Sequence, residues 1–279
     1  MKNFKNILLP FTICISHVFC EEVKLLIEEY IPFPQKIKNL NLLPTQFDWF
    51  TRDKFILVDQ FMSEVIQLKS DGEISLSTKA EWGGNNNTEV VWAGASNQGV
   101  KVVDKLTNSL TRTDFNLNPV EIIDFNFELY PEHAAEDRFG NVYLYSQSYS
   151  SIFILENSGT SLRMHVDLNK LRILSTSVKS MSTNGDGQLG VLGYEGNFFE
   201  FSKNGLKKFS YKSEIQNLEF LVPLKKDWML FNKNGQGELI KTGQELKIPT
   251  NLLPIYDIKT KNNRIAILSD SQIIVLRIN

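Results

Sequence analysis

From residue 47 onward the chain reads as short apolar runs separated by polar breaks that carry Gly, Asn and Asp. The first four runs fall at 47–51, 54–58, 64–69 and 73–77, with Ser70-Asp71-Gly72 before the last. Runs this short, bounded by residues that accept positive φ, predict strands joined by tight turns. Four in succession predict a four-stranded antiparallel meander. The 19 Phe residues and the scarcity of Ala favour strands over helices throughout.

The plan recurs. A second group has runs at 89–93, 99–104 and 109–116; residues 121–128 either close it or lead into the next. The third group is the clearest, with runs at 133–136, 141–145, 151–156 and 161–166. The fourth has 177–183, 188–192, 197–201 and 206–211, and the fifth 219–223, 226–231, 237–241 and 244–248. The tail supplies three more, 255–259, 264–268 and 272–278, and ends before a fourth. The last turns of three successive groups, at Gly159, Gly205 and Gly243, lie 46 and 38 residues apart. Gly72 to Gly159 spans 87 residues, close to two such steps. That is the period of a propeller blade, about 40–45 residues.

Each meander alone exposes an apolar face, and radial stacking buries both faces of every sheet. Residues 23–33, VKLLIEEYIPF, supply a strand with no hairpin partner, which completes the three-stranded tail. The fold class expected is therefore all-β: a six-bladed β-propeller of four-stranded antiparallel blades, the last closed by the N-terminal strand. Seven blades would leave about 37 residues each and no spare loop. A β-sandwich would not be expected to repeat its turns in this way. No strong helix is expected. Residues 21–29 have a loose helical face cut short by Pro32 and Pro34, and 166–174 make at most one turn.

The first 20 residues change the picture of where the chain works. Lys2 and Lys5 precede a mostly apolar run at 7–19, and Glu21-Glu22 marks a polar boundary. That layout is expected for a secretory signal peptide, too short to span a bilayer comfortably. The domain expectation is a signal at 1–20 and one propeller at 21–279, secreted or periplasmic, in or near the cell envelope, with no transmembrane segment in the mature chain. A lipid anchor at Cys20 is the alternative; Cys20 is the one lipobox residue present, with Phe19 bulky before it. Cys14 and Cys20 are the only cysteines, so the mature chain is expected to hold itself by its core, without disulfides. Asn86-Asn87-Thr88 is a lone glycosylation sequon. Net charge is −2, falling to about −4 once the signal's lysines are removed, and Lys and Arg are scattered singly or in pairs. No nucleic-acid partner is expected.

The segment Ala135-Glu136-Asp137-Arg138-Phe139-Gly140-Asn141-Val142-Tyr143-Leu144 resembles the phrase that recurs in six-bladed bacterial propellers of the NHL-like and SMP-30-like group. There a first strand enters a D-x-x-G-N turn and an apolar second strand follows. Ser70-Asp71-Gly72-Glu73-Ile74 and Lys203-Asn204-Gly205-Leu206 look like outer turns of the same group. The resemblance covers one blade well and three loosely. It implies architecture; the group includes protein-binding repeats, surface lipoproteins and some calcium-dependent lactonases and esterases.

Motifs for chemistry are sparse. There is no G-x-S-x-G, H-E-x-x-H, G-x-G-x-x-G or Walker motif. Beyond His17 the histidines are His133, entering an inner strand, and His165, in the outer strand of the same blade. A calcium-dependent hydrolase would need inner-strand carboxylates to converge on one cation. Asp48, Glu136 and Asp257 are available, at different depths, with Ser180 and Glu219 in the blades between. Asp71, Asp137 and Asp186 are expected to shape turns. Trp49 and Trp228 are expected in the core. Trp82 and Trp92 flank the Asn-rich loop, either as a sugar-stacking patch or as packing between blades.

In a propeller, loops that enter the inner strands and loops between second and third strands share one face. That places Phe61, Tyr130, His133, Tyr149, Tyr194 and Glu195 together as the expected binding residues, aromatics among polar groups, suited to a protein surface. The function expected is a non-catalytic exported propeller binding a protein or cell-envelope component, with no cofactor. The alternatives are a glycan-binding propeller and a calcium-dependent lactonase or esterase.

Overall fold

The computed structural model describes residues 23–51, 53–82, 88–173, 178–225, 227–249 and 254–279. The expected targeting segment, with Cys14, His17 and Cys20, lies outside the described residues, as do Asn86 and Asn87 of the sequon.

The chain forms six four-stranded antiparallel sheets. Blade 1 is β2 (Gln46–Thr51), β3 (Lys54–Asp59), β4 (Glu64–Lys69) and β5 (Ile74–Lys79). Blade 2 is β6 (Val90–Ser96), β7 (Gly99–Asp104), β8 (Ser109–Thr113) and β9 (Pro119–Asp124), so the undecided run closes this blade. Blade 3 is β10 (His133–Glu136), β11 (Val142–Ser146), β12 (Ser151–Leu155) and β13 (Leu162–Asp167). Blade 4 is β14 (Val178–Thr183), β15 (Leu189–Gly193), β16 (Asn197–Phe201) and β17 (Lys207–Lys212). Blade 5 is β18 (Leu218–Leu224), β19 (Asp227–Asn232), β20 (Gln236–Leu239) and β21 (Glu245–Lys247). Blade 6 is β22 (Asp257–Lys261), β23 (Arg264–Leu268) and β24 (Gln272–Ile278), completed by β1 (Leu25–Pro32). β1 runs antiparallel to β24, from Leu25 opposite Ile278 to Pro32 opposite Gln272.

The first strand of each blade, β2, β6, β10, β14, β18 and β22, contacts the first strand of the next blade, and these contacts close a ring. Six apolar clusters fill the gaps between blades. One joins Phe47, Phe55, Leu57, Ile66 and Leu68 of blade 1 to Ala266, Leu268, Ile273 and Val275 of blade 6. Another joins Met229 and Phe231 of blade 5 to Ile265, Ile267 and Ile274 of blade 6. Because neighbours cover both faces, middle strands such as β11 and β12 are buried at every position, while the outer β17 is almost wholly exposed. Trp49 and Trp228 are core, as expected.

The sequence pattern did not signal a helix between Pro34 and Pro44, yet α1 (Gln35–Asn39) forms there and sets Ile37 into the blade 1–blade 6 core. Five residues are too few to display a 3.6 period.

One turn device repeats. Asp114, Asp137, Asn184, Ser202 and Asn232 each accept, on a single side-chain oxygen, the backbone N–H groups two and four residues on. Asp137 shapes its turn as expected; in blade 4 the acceptor is Asn184, whereas Asp186 contributes its N–H. At the Ser202 turn Gly205 has φ +76°, and a Cβ there would meet the His165 carbonyl oxygen at 2.0 Å.

Candidate functional site

The inner strands surround a channel holding two adjoining cavities of about 640 and 330 Å³, which share Trp92, Ser180, Met181, Phe220, Asp257 and Lys259 in their walls. The smaller opens where the inner strands begin, beside Thr45, His133, Lys179, Glu219 and Tyr256. The larger opens where they end, beside Gln98, Arg138, Phe139, Thr183 and Lys261.

Bulges shape the first end. Val91, Lys179 and Glu219 are each the second residue of an inner strand, and each is the extra residue skipped in pairing with the second strand. A bulge re-aims a side chain. Lys179 and Glu219 thus both reach the smaller cavity, where they pair at 2.8 Å. The Lys179 ammonium also lies 4.9 Å from the centre of the Tyr194 ring.

All six expected binding residues lie at this end, around the ring and not in one cluster. Phe61, in the β3–β4 turn, is 92% exposed. Tyr194 and Glu195 are exposed in the β15–β16 turn. Tyr149 is exposed on one side and packs edge-on against Phe127 and Phe153. Tyr130 has φ +46° and donates its backbone N–H to Asn108 Oδ1 at 2.9 Å. His133 is half-buried, its ring 5.9 Å from that of Tyr145, and burial pushes its pKa down to about 4. Met62, beside Phe61 in the same turn, is exposed at this end, and so are Leu43, Leu106 and Tyr256, which the sequence did not single out. The antiparallel order of each blade places them there, once strand boundaries are known.

The inner-strand carboxylates hold blades together. Asp48 Oδ2 accepts the Ala95 N–H of blade 2 at 2.7 Å, and Oδ1 accepts the Trp49 N–H. Asp257 accepts the Phe47 N–H of blade 1 at 3.1 Å and pairs with Lys259. Burial works against the Lys259 ammonium, but Asp257 and Asp48 outweigh it and hold its pKa above the ordinary lysine value. Glu136 meets buried Lys101 of blade 2 at 2.8 Å; burial pushes the Glu136 carboxyl up although Lys101 pulls it down. Lys101 also donates to Gly140 O and Asn157 Oδ1. Thr183 and Thr260 donate to the Glu136 and Pro223 carbonyls across two further interfaces. Among the described residues, no three His, Cys, Asp or Glu side chains come together as a metal site.

Trp92 lines the channel and packs at the blade 2–blade 3 core, whereas Trp82 packs at the blade 1–blade 2 core. They serve different interfaces. Among the described residues no helix is long and apolar enough to cross a membrane.

No protein-family model matches the chain, and no curated protein matches it either. Solved structures do. Virginiamycin B lyase from Staphylococcus aureus is 11% identical, with a TM-score of 0.65 over 92% of this chain and 99% of that one. YCF48 bound to D1 peptide is 13% identical, with a TM-score of 0.62 over 85% and 78%. BBS1N in complex with ARL6DN is 8% identical, with a TM-score of 0.59 over 84% and 78%. At such identities the likeness carries the propeller fold, and this chain is a six-bladed β-propeller similar in architecture to a lyase and to two proteins solved with protein or peptide partners.

Proposed function

We propose that this chain is a non-catalytic, exported propeller that binds a protein of the cell envelope through the end where its inner strands begin. The observation that carries the proposal is the exposure of apolar side chains spread around that end, Phe61, Tyr194 and Tyr256 foremost. Aromatic groups set among polar ones are the usual anchors of protein interfaces. The channel supports the same reading: its carboxylates Asp48, Glu136 and Asp257 are engaged by neighbouring blades. Two of the similar structures, YCF48 with a D1 peptide and BBS1N with ARL6DN, are propellers solved with partners. Export rests on the first 20 residues.

The test is capture from a host envelope fraction. Wild-type protein is expected to retain a partner that the F61S/Y194S variant loses, while Val120→Ser on an outer strand leaves capture intact. Equal capture by all three, or calcium-dependent turnover of a lactone or ester, would overturn the proposal.

A further inference from the structure

The larger cavity lies at the other end of the channel, and its hydrogen-bonding inventory is lopsided. Its carboxylates already have partners. Asp48 accepts two backbone N–H groups, and Asp137 accepts those of Phe139 and Asn141 as well as the Asn141 amide. Glu136 is paired with Lys101, and Asp257 with Lys259 and two backbone N–H groups.

The donors are not used up. Arg138 is exposed, and its only contact among the described residues is with the Phe139 ring, 4.7 Å from its guanidinium carbon. Lys203 approaches the same ring at 4.5 Å. Lys261 reaches into the cavity wall with, among the described residues, only the Trp49 and Phe50 carbonyls as partners, at 3.2 and 3.5 Å. The Ser180 and Ser182 side chains line the same cavity without a hydrogen-bond partner among the described residues. A concave site of about 640 Å³ is of the size that encloses a small molecule. Covered acceptors beside unspent cationic and hydroxyl donors select an acceptor-rich guest.

We infer that this end of the channel is a binding site for a small organic anion bearing carboxylate or phosphate groups. Arg138 and Lys261 supply the charge, Ser180 and Ser182 the neutral donors, and Phe139 an apolar wall. The site opens at the opposite end of the channel from the protein-binding end, meeting the smaller cavity at shared walls such as Ser180, and stands whether or not that end proves to be an interface.

The probes are citrate and inorganic phosphate, each titrated at low salt into the protein and followed by calorimetry and by amide shifts in NMR. At least one anion is expected to bind saturably, shifting the Arg138, Ser182 and Lys261 amides. Arg138→Glu, an exposed substitution, is expected to weaken binding by roughly tenfold, the size of a charge-assisted hydrogen bond. Lys233→Glu at the other end should leave affinity unchanged. Lys261→Met, which removes the other charge of the wall, is expected to weaken binding too; if it does not fold, Arg138→Gln serves as the second variant. Failure of both anions to saturate overturns the inference, and so does unchanged affinity in Arg138→Glu. Glucose binding with the same amide shifts while both anions fail would also sink it, marking a neutral-ligand site.

Discussion

Lys179 and Glu219 hold the same position in successive blades, the bulged second residue of the inner strand, and there they meet at 2.8 Å. The pair ties blade 4 to blade 5 and lies beside the Tyr194 ring. Glu219→Gln is expected to cost about 1 kcal/mol, since the pair is only partly buried. Urea unfolding measures that. A loss several times larger would mean the pair behaves as a deeply buried one.

Asp48 is expected to matter more. Replacing it with Ala strands the Trp49 and Ala95 N–H groups. The cost should be about 1–2 kcal/mol, because partly buried donors that lose their acceptor are recovered only in part by channel water. Asp48→Asn, which keeps acceptor capacity on one oxygen, should cost less. Equal stability of Asp48→Ala and wild type would show that the interface does not depend on this tie.

Stability should fall as the solution is acidified through the range below neutrality. Burial, the largest cause, pushes the pKa of His165 down to about 4, and the charge of Arg163 adds to it. The unfolded chain, with an ordinary value near 6.5, binds the proton first. The His165 contribution is therefore intact above about pH 6.5 and declines toward pH 4, by up to about 1.4 kcal/mol per pH unit. His165→Phe is expected to fold, to match or exceed wild-type stability at acid pH, and to flatten the slope. Melting curves across that range decide it; an unchanged slope would assign the effect to other groups.

At the Ser202 turn, Gly205→Ala introduces a side chain at φ +76° and against the His165 carbonyl oxygen. A loss of more than about 1 kcal/mol is expected. A thermal shift within error of zero would show that the turn relaxes freely.

At the proposed binding end, a photo-crosslinking residue at position 61 should capture a partner that the same residue at position 120 does not. Position 120 also faces solvent, so exposure alone is controlled. Equal yields from both positions would argue against a localised interface.

The blade count was legible because turns such as Ser70-Asp71-Gly72 announce themselves locally. Blade 2 was less so: its outer strand exposes both Val120 and Ile122, which blurs the apolar signal of its end. α1 was missed for its length, and Asp186 was favoured over Asn184 because either residue type suits a turn. The ring of aromatics at one end followed from strand order alone. What sequence could not show was contact between blades. Nothing local tells that Asp48 reaches Ala95, or that Arg138 and Lys261, distant in the chain, line one cavity. Those relations exist only after the ring closes.

That closure sets an order of events. Among the described strands β1 comes first in the chain and its partner β24 last, and the pairing of Leu25 with Ile278 joins residues more than 250 positions apart. Contacts of such sequence separation form late and slowly. Until β24 forms, β1 and β23 each present an unpaired edge, and without β1 the edge of β24 stays open. The latch thus works as a check on the ring: only a molecule in which β1 meets β24 shuts, and one lacking either strand is left with an edge that invites proteolysis or aggregation.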